Sequence, residues 1–195
     1  DAELVVHTIA IPADNPELGA ARKRGLVVKT YPEVLGELSA KRQTVAIAGT
    51  HGKTTTTAMV AEILVKAKLK PMVIVGSLLA KGKSNFIAGT GPLVVEACEY
   101  RRSFMALSPT ILVITNIDAD HLDYYRDLAD IQKAFADLAS KVPPTGALIC
   151  DTTDRRLLPV LAAARCEGVD YRQFDKVSGK LKLRDDHFNL SALIK

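Results

Sequence analysis

A glycine-rich turn between two apolar segments holds the residues best suited to chemistry in this 195-residue chain. Residues 45–48 are apolar, and after them come Gly49-Thr50-His51-Gly52-Lys53-Thr54 and then an amphipathic segment. A strand that leads through glycines into a helix presents free backbone N–H groups and the positive end of the helix dipole to an anion. Lys53 adds a positive charge, and Thr54 adds a hydroxyl that can bind Mg²⁺. The turn therefore predicts a nucleoside triphosphate site.

The alternative is an ordinary strand-to-helix turn. Ile47 occupies the position where the general phosphate-loop pattern has its first glycine, so the pattern is incomplete. Two features favour phosphate binding nevertheless. A buried strand is predicted directly before the turn, and residues 54–57 are four consecutive threonines, which are only moderate helix formers. Met59, Val60, Ile63 and Leu64 are spaced as the buried face of the helix that follows.

Acidic residues follow a second predicted strand. Glu96 comes directly after Val94 and Val95, and Glu99 lies three residues further on. A carboxylate at the end of a buried strand is costly unless it is paired or binds a cation. Glu96 is therefore either a Mg²⁺ partner beside the glycine turn or a residue in a salt bridge or helix cap, and the spacing favours neither.

A third polar cluster follows the predicted strand at residues 110–115. It consists of Asn116, three aspartates at positions 118, 120 and 123, and His121. An isolated histidine is usually structural, but His121 has carboxylates near it that can orient its ring. We expect the aspartates to act mainly as caps and solvated charges.

Composition limits the classes of partner. With 48% hydrophobic and 25% charged residues, the chain is typical of a globular protein, and no apolar run approaches the roughly 20 residues that span a bilayer. Three cysteines without metal-type spacing indicate a reducing, cytoplasmic compartment. Residues 45–90 contain six lysines and one glutamate, which suits a polyphosphate ligand. Because only 5% of residues are aromatic and these do not alternate with basic ones, we expect neither nucleic-acid nor membrane partners.

Alternating strand and helix patterns predict an α/β fold with a mostly parallel sheet flanked by helices. Residues 1–43 are too few to bury a core of their own, so we expect them to be the last part of a first domain. The second domain is predicted from residue 44 to residue 195. The predicted strands are residues 4–11, 26–28, 44–48, 71–76, 93–97, 110–115, 147–150 and 171–174. The predicted helices are residues 17–24, 32–40, a segment ending near 68, 128–141 and 154–165.

Three motifs together resemble the Mur ligase family. They are Ala-Gly-Thr-His-Gly-Lys-Thr-Thr-Thr-Thr at 48–57, Val-Glu-Ala-Cys-Glu at 95–99 and Thr-Asn-Ile-Asp-Ala-Asp-His-Leu-Asp-Tyr-Tyr at 115–125. Residues 10–17 also resemble the end of the N-terminal domain of that family. The resemblance implies that residues 1–43 are the C-terminal part of a Rossmann-like domain that binds a UDP substrate. Residues 44–195 would be most of the central ATP-binding domain, which is of the phosphate-loop type.

The resemblance also implies a reaction. The family forms amides with ATP and Mg²⁺ in peptidoglycan precursor synthesis, and here L-alanine would be added to UDP-N-acetylmuramate through an acyl phosphate. One alternative is the related ligation of a recycled tripeptide to the same sugar, and another is a nucleotide-binding module without ligase activity. We expect the 195-residue chain by itself to be inactive, since the amino-acid-binding domain of the family is not among these motifs.

The matching positions carry implied roles. Lys53, His121 and Asn85 would be catalytic, and Thr54, Glu96 and His121 would bind metal. The nucleotide would be bound by Gly49, Thr50, His51, Gly52, Lys53, Thr54, Thr55 and Asn116. The chain departs from the alanine-adding pattern at Cys98-Glu99-Tyr100-Arg101, where Asp-Glu-Ser-Asp is usual. This departure leaves the choice of amino acid open.

Overall fold

The computed structural model describes residues 2–78 and 84–173. Within these residues, seven strands form one sheet in the order β5-β4-β6-β3-β7-β8-β9, and β1 and β2 form a separate parallel pair. The strands are β1 Leu4–His7, β2 Val27–Thr30, β3 Thr44–Ala48, β4 Met72–Ile74, β5 Phe86–Ile87, β6 Leu93–Glu96, β7 Ile111–Ile114, β8 Ala147–Cys150 and β9 Glu167–Asp170. The helices are α1 Pro16–Lys23, α2 Tyr31–Ala40, α3 Lys53–Lys66, α4 Leu128–Ala139 and α5 Leu158–Ala163.

The core lies around β3, the central strand of the large sheet. Ala46, Ile47 and Ala48 are fully buried, because β3 pairs in parallel with β6 on one side and β7 on the other and is covered on both faces. Only the β4–β5 pair is antiparallel among the described strands. The predicted α/β fold with a mostly parallel, helix-flanked sheet is confirmed.

The N-terminal unit, residues 2–43, packs on the large sheet through α2. The side chain of Asn15 caps α1, and Thr30 and Glu33 form a capping box at the start of α2. A Cβ on Gly36 would lie 2.7 Å from the carbonyl oxygen of Ala106, so α2 approaches the following 3₁₀ segment, Tyr100–Ala106, very closely. That this unit is the end of a Rossmann-like domain, with a boundary at residue 44, stays a prediction.

The predicted strand at 171–174 is wrong. The strand is β9, Glu167–Asp170, and Tyr171–Gln173 form a 3₁₀ turn; Phe174 lies outside the described residues. The turn begins there because the Asp170 carboxylate accepts a hydrogen bond from the backbone N–H of Arg172 at 2.9 Å. The aspartate thus stabilises a turn in place of further strand pairing.

The predicted buried face of α3 is confirmed in part. Leu64 is buried and Val60 packs on the core partly buried, but Met59 and Ile63 are exposed, and the helix also buries Thr57 and Ala61. α3 lies directly on β3 and β6. Small side chains suit this close approach, which is set by the turn before the helix.

Other boundaries shift for local reasons. β1 ends at His7, because the Ile11 N–H donates to Thr8 and forms a turn. α3 ends at Lys66, and Lys68 has a left-handed φ of 60°. The predicted 154–165 helix is a 3₁₀ turn, Arg155–Leu157, followed by the short α5. The composition of residues 80–91, rich in Gly, Lys, Ser and Asn, predicts a loop; residues 80–83 lie outside the described residues, and Phe86–Ile87 form the short strand β5. None of the described helices is long and apolar enough to cross a membrane.

Candidate nucleotide site

The three polar clusters converge at the carboxyl ends of β3, β6 and β7, which are neighbours in the sheet. From β3 the chain continues to β4, which lies on the β6 side of β3, and it later reaches β7, which lies on the opposite side of β3. Ligands of open α/β sheets bind at such a reversal of strand order. Every site residue except Asn85 lies in the turn after β3, at the start of α3, or at the ends of β6 and β7.

Two glycines shape the turn after β3. Gly49 has a φ of 131°, and a Cβ at this position would lie 2.0 Å from Oγ1 of Thr115, so only glycine fits. Gly52 has a φ of 81° and is the N-cap residue of α3. Among the described residues, no side chain caps α3, and a Cβ on Gly52 would meet no atom within 4 Å. The first N–H groups of this helix are therefore left without a capping side chain from the described residues, as an anion site requires.

The turn is held to the end of β7. The Asn116 side chain accepts a hydrogen bond from the backbone N–H of His51 and donates one to its carbonyl oxygen, each at 3.0 Å. The Thr115 hydroxyl also donates to that oxygen, at 2.6 Å, and the Thr50 hydroxyl accepts from the N–H of Asp118 at 2.8 Å. In this structure Asn116, Thr50 and His51 fix the shape of the turn. Thr115 contributes equally, although the sequence assigns it no role.

Lys53 bends back over the turn. Its Nζ donates to the carbonyl oxygens of Gly49 and Thr50, at 2.6 and 3.0 Å, and forms an ion pair with Oε1 of Glu99 at 2.8 Å. The ammonium thus sits at the mouth of the turn with partners that a phosphate can replace.

Thr54 and Glu96 meet beside it. The Thr54 hydroxyl lies 3.0 Å from both carboxylate oxygens of Glu96, and the N–H of Gly76 donates to Oε2 at 2.9 Å. Burial, with a smaller contribution from the negative charge of Glu96, raises the pKa of Tyr31 on α2. Glu96 therefore contacts the start of α3 through Thr54 and lies near enough to Tyr31 of the N-terminal unit for its charge to act there.

His121 approaches the site from the β7 side. It has a left-handed φ of 51°, and the Asp120 carboxylate accepts its backbone N–H at 2.7 Å. Its Nε2 lies 3.7 Å from Oε1 of Glu99, and its ring packs on Tyr100 with centroids 5.0 Å apart. His121 is thus placed next to Glu99, the partner of Lys53.

Thr55 and Asn85 make fewer contacts with the rest of the candidate site. Thr55 is exposed on the first turn of α3. Asn85 is exposed just before β5, and its carbonyl oxygen accepts the N–H of Val75, the neighbour of Gly76. Asn85 therefore lies on the Glu96 side of the sheet, without a hydrogen bond to the other site residues among the described contacts.

Glu99 is the site residue that the sequence left without a role. It is 3% exposed, its Oε1 binds Lys53, and its Oε2 is buried without a hydrogen-bond partner within the described residues. Its backbone carbonyl accepts the hydroxyl of Tyr125, whose pKa is raised mainly by burial. The position of Glu99 shortly after β6 could have indicated its pairing with Lys53. A buried carboxylate needs a cation, and Lys53 follows the glycine turn after β3, the strand next to β6.

A cavity of about 430 Å³ lies between the N-terminal unit and the end of β6. We call it the α2 cavity. Apolar side chains form most of its wall, and Glu96 and Arg101 bring the charged groups. Its lining residues include Thr8, Tyr31, Leu35, Glu96, Arg101 and Phe104.

These features define a class: a parallel α/β domain with a phosphate-loop type of turn at the reversal of strand order. Two family models match the chain, "Mur ligase middle domain" over residues 47–192 and "Mur ligase family, catalytic domain" over residues 1–43. The chain belongs to the Mur ligase family.

Curated relatives are similar over nearly the whole chain. The UDP-N-acetylmuramate–L-alanine ligase of Clostridium acetobutylicum is 42% identical over 194 residues, which cover 98% of this chain and 42% of the relative. The ligase of the same name from Caldicellulosiruptor saccharolyticus is 46% identical over 160 residues, covering 81% of this chain and 35% of the relative. The chain thus spans less than half the length of these relatives.

Solved structures agree in fold. The UDP-N-acetylmuramate-alanine ligase MurC of Thermotoga maritima superposes with a TM-score of 0.71 at 30% identity, covering 87% of this chain and 39% of that one. The UDP-N-acetylmuramate:L-alanyl-gamma-D-glutamyl-meso-diaminopimelate ligase from Neisseria meningitides gives a TM-score of 0.73 at 26% identity, covering 86% and 58%.

Proposed function

We propose that this chain supplies the ATP-binding part of a ligase that joins L-alanine to UDP-N-acetylmuramate. The observation that carries the proposal is the Thr54–Glu96 pair beside Lys53 at the uncapped N-terminus of α3. The identity of the two substrates comes from the relatives, whose names specify both the sugar nucleotide and the amino acid.

The donors fit a magnesium nucleotide. Thr54 and Glu96 offer a hydroxyl and a carboxylate, the hard oxygen ligands that Mg²⁺ prefers. Within residues 2–78 and 84–173 no group of three or more His, Cys, Asp or Glu side chains could hold a metal alone. Phosphate oxygens and water would complete the coordination, as is usual for Mg²⁺ bound with a nucleotide. The metal-binding and catalytic roles of His121 and the catalytic role of Asn85 are part of the proposal.

The residues of the site would have distinct roles in phosphoryl transfer. Lys53 and the N–H groups of α3 would hold the terminal phosphates and stabilise the charge that develops during transfer. A bound Mg²⁺ would supply further neutralisation of phosphate charge. The substrate carboxylate forms a bond to the γ-phosphorus while the bond to the ADP oxygen breaks. The amine of alanine then attacks the acyl carbon, phosphate leaves, and the amine proton passes to solvent.

Phosphate release by the full-length protein tests the proposal. With ATP, Mg²⁺ and UDP-N-acetylmuramate present, L-alanine should stimulate release and the tripeptide L-alanyl-γ-D-glutamyl-meso-diaminopimelate should not. Stimulation by the tripeptide alone would assign the related recycling reaction. If ATP binds but neither amine stimulates release, the chain is a nucleotide-binding module and the ligase proposal is wrong.

A further inference from the structure

We propose that the guanidinium of Arg101 binds an oxyanion of the acceptor substrate inside the α2 cavity. This inference rests on the proposed function, in which the acceptor carries both a carboxylate and a diphosphate. It assigns a binding role to one of the positions at which the sequence departs from the alanine-adding pattern.

The α2 cavity has the size and position of an acceptor pocket. Its volume of about 430 Å³ is within the range typical of small-molecule sites. Glu96 forms part of its wall and also contacts Thr54, so the cavity adjoins the place where the terminal phosphate is expected. An acceptor in this cavity can therefore reach the phosphate.

Within the part of the chain that the structure describes, Arg101 has no acidic partner, unlike the arginines near it. Arg102 forms ion pairs with Asp130 and Asp137, and Arg156 binds Asp154. None of the described carboxylates forms an ion pair with Arg101, whose Cζ lies 5.5 Å from the centroid of the Tyr100 ring. Stacking on a ring leaves the guanidinium N–H groups available at its edge, where a planar oxyanion binds with two hydrogen bonds.

Arg101 lines the cavity with a backbone conformation that is unfavourable for its residue type. Arg101 and Arg102 have left-handed φ values of 49° and 54°, which are unfavourable for residues with a Cβ. The ion pairs of Arg102 with α4 offset the cost at that residue. On the other side the Tyr100 hydroxyl donates to Asp123 at 3.1 Å. Arg101 thus lies between two residues whose side chains are anchored, and it lines the cavity.

The charges around the α2 cavity favour a cation in its wall. Glu96 lies in the cavity wall and repels an incoming anion, while Lys53 is paired with Glu99. Among the described residues that line the α2 cavity, Arg101 is the only one with a permanent positive charge. Its guanidinium can therefore neutralise the acceptor as it approaches Glu96 and the nucleotide.

Equilibrium binding by the full-length protein tests the inference. Arg101→Gln removes the charge, and Arg101→Gly removes the side chain while glycine retains the left-handed backbone. Arg165→Gln is the control, because Arg165 is exposed and outside the cavity lining. We expect both Arg101 variants to raise the Kd for UDP-N-acetylmuramate about 10- to 100-fold, with the Kd for ATP unchanged within about twofold.

Two further probes identify the oxyanion. UDP-N-acetylglucosamine carries the diphosphate without the carboxylate, so loss of its binding in the Arg101 variants assigns the diphosphate. Loss confined to UDP-N-acetylmuramate assigns the carboxylate. If Arg101→Gln and Arg101→Gly match Arg165→Gln with every probe, the inference is wrong while the proposed function stands. If the unaltered protein binds ATP but no UDP-sugar and releases no phosphate, the proposed function fails and the inference fails with it.

Discussion

Nζ of Lys53 lies 2.8 Å from Oε1 of Glu99, and both side chains are largely withdrawn from solvent. The second carboxylate oxygen of Glu99 has no hydrogen-bond partner within the described residues. The lysine expected to bind phosphate is therefore already neutralised by a buried acid. A nucleotide must compete with Glu99 for this ammonium group.

Glu99→Gln should destabilise the nucleotide-free protein and increase its affinity for ATP. The free energy of unfolding should fall by about 1–3 kcal/mol, because Lys53 becomes a buried charge with only neutral partners. The affinity for ATP should rise, since the competing negative charge is lost. Urea unfolding with and without ATP measures both effects.

Glu167→Gln is the control for that experiment, because Glu167 is exposed on β9. An unchanged ATP affinity in Glu99→Gln would show that phosphate and Glu99 do not share Lys53.

Lys53→Ala should weaken ATP binding by about 1.5–3 kcal/mol, the value of a charge-assisted hydrogen bond. Lys66→Ala removes the same charge from the last turn of the same helix, where the side chain is 75% exposed, and should leave the affinity nearly unchanged. Calorimetric titration compares the two variants. Equal losses in both would reduce the role of Lys53 to general electrostatic attraction.

Glu96→Gln should reduce ATP binding in the presence of Mg²⁺ far more than binding in EDTA. The carboxylate charge attracts the metal, whereas the hydrogen bond from Thr54 can persist with the amide oxygen. Glu3→Gln changes the same charge at an exposed position and serves as the control. A loss of the same size with and without Mg²⁺ would identify Glu96 as a structural carboxylate only.

Gly36→Ala should destabilise the contact between α2 and the Tyr100–Ala106 segment. The added Cβ would lie 2.7 Å from a backbone oxygen that cannot move alone, so the free energy of unfolding should fall by about 1–3 kcal/mol. Gly19→Ala is the matched control on α1, where a Cβ meets nothing within 4 Å. That variant should instead be stabilising by about 0.5–1 kcal/mol, from helix propensity. Thermal or urea unfolding measures both, and equal effects would contradict the close packing.

The sequence predicts the buried strands of the large sheet well. β3 and β8 have the predicted ends, because continuous apolar runs bounded by polar turns have one stable placement in a parallel sheet. The strand prediction fails at the edges of this sheet. β9 lies several residues before its predicted position, since the hydrogen bond of Asp170 to the next turn outweighs the β propensity of the residues that follow.

Residue types and local spacing determined which side chains belong to the site. Glycines before a lysine and a threonine, and a carboxylate and a histidine after apolar strands, each indicate a ligand by their own chemistry. Their partners depend on tertiary structure. Glu99 meets Lys53 across 46 positions of sequence, and Asn116 holds the backbone of His51 because β3 and β7 are neighbours in the sheet. Strand order and packing decide such contacts, and no local pattern in the chain encodes them.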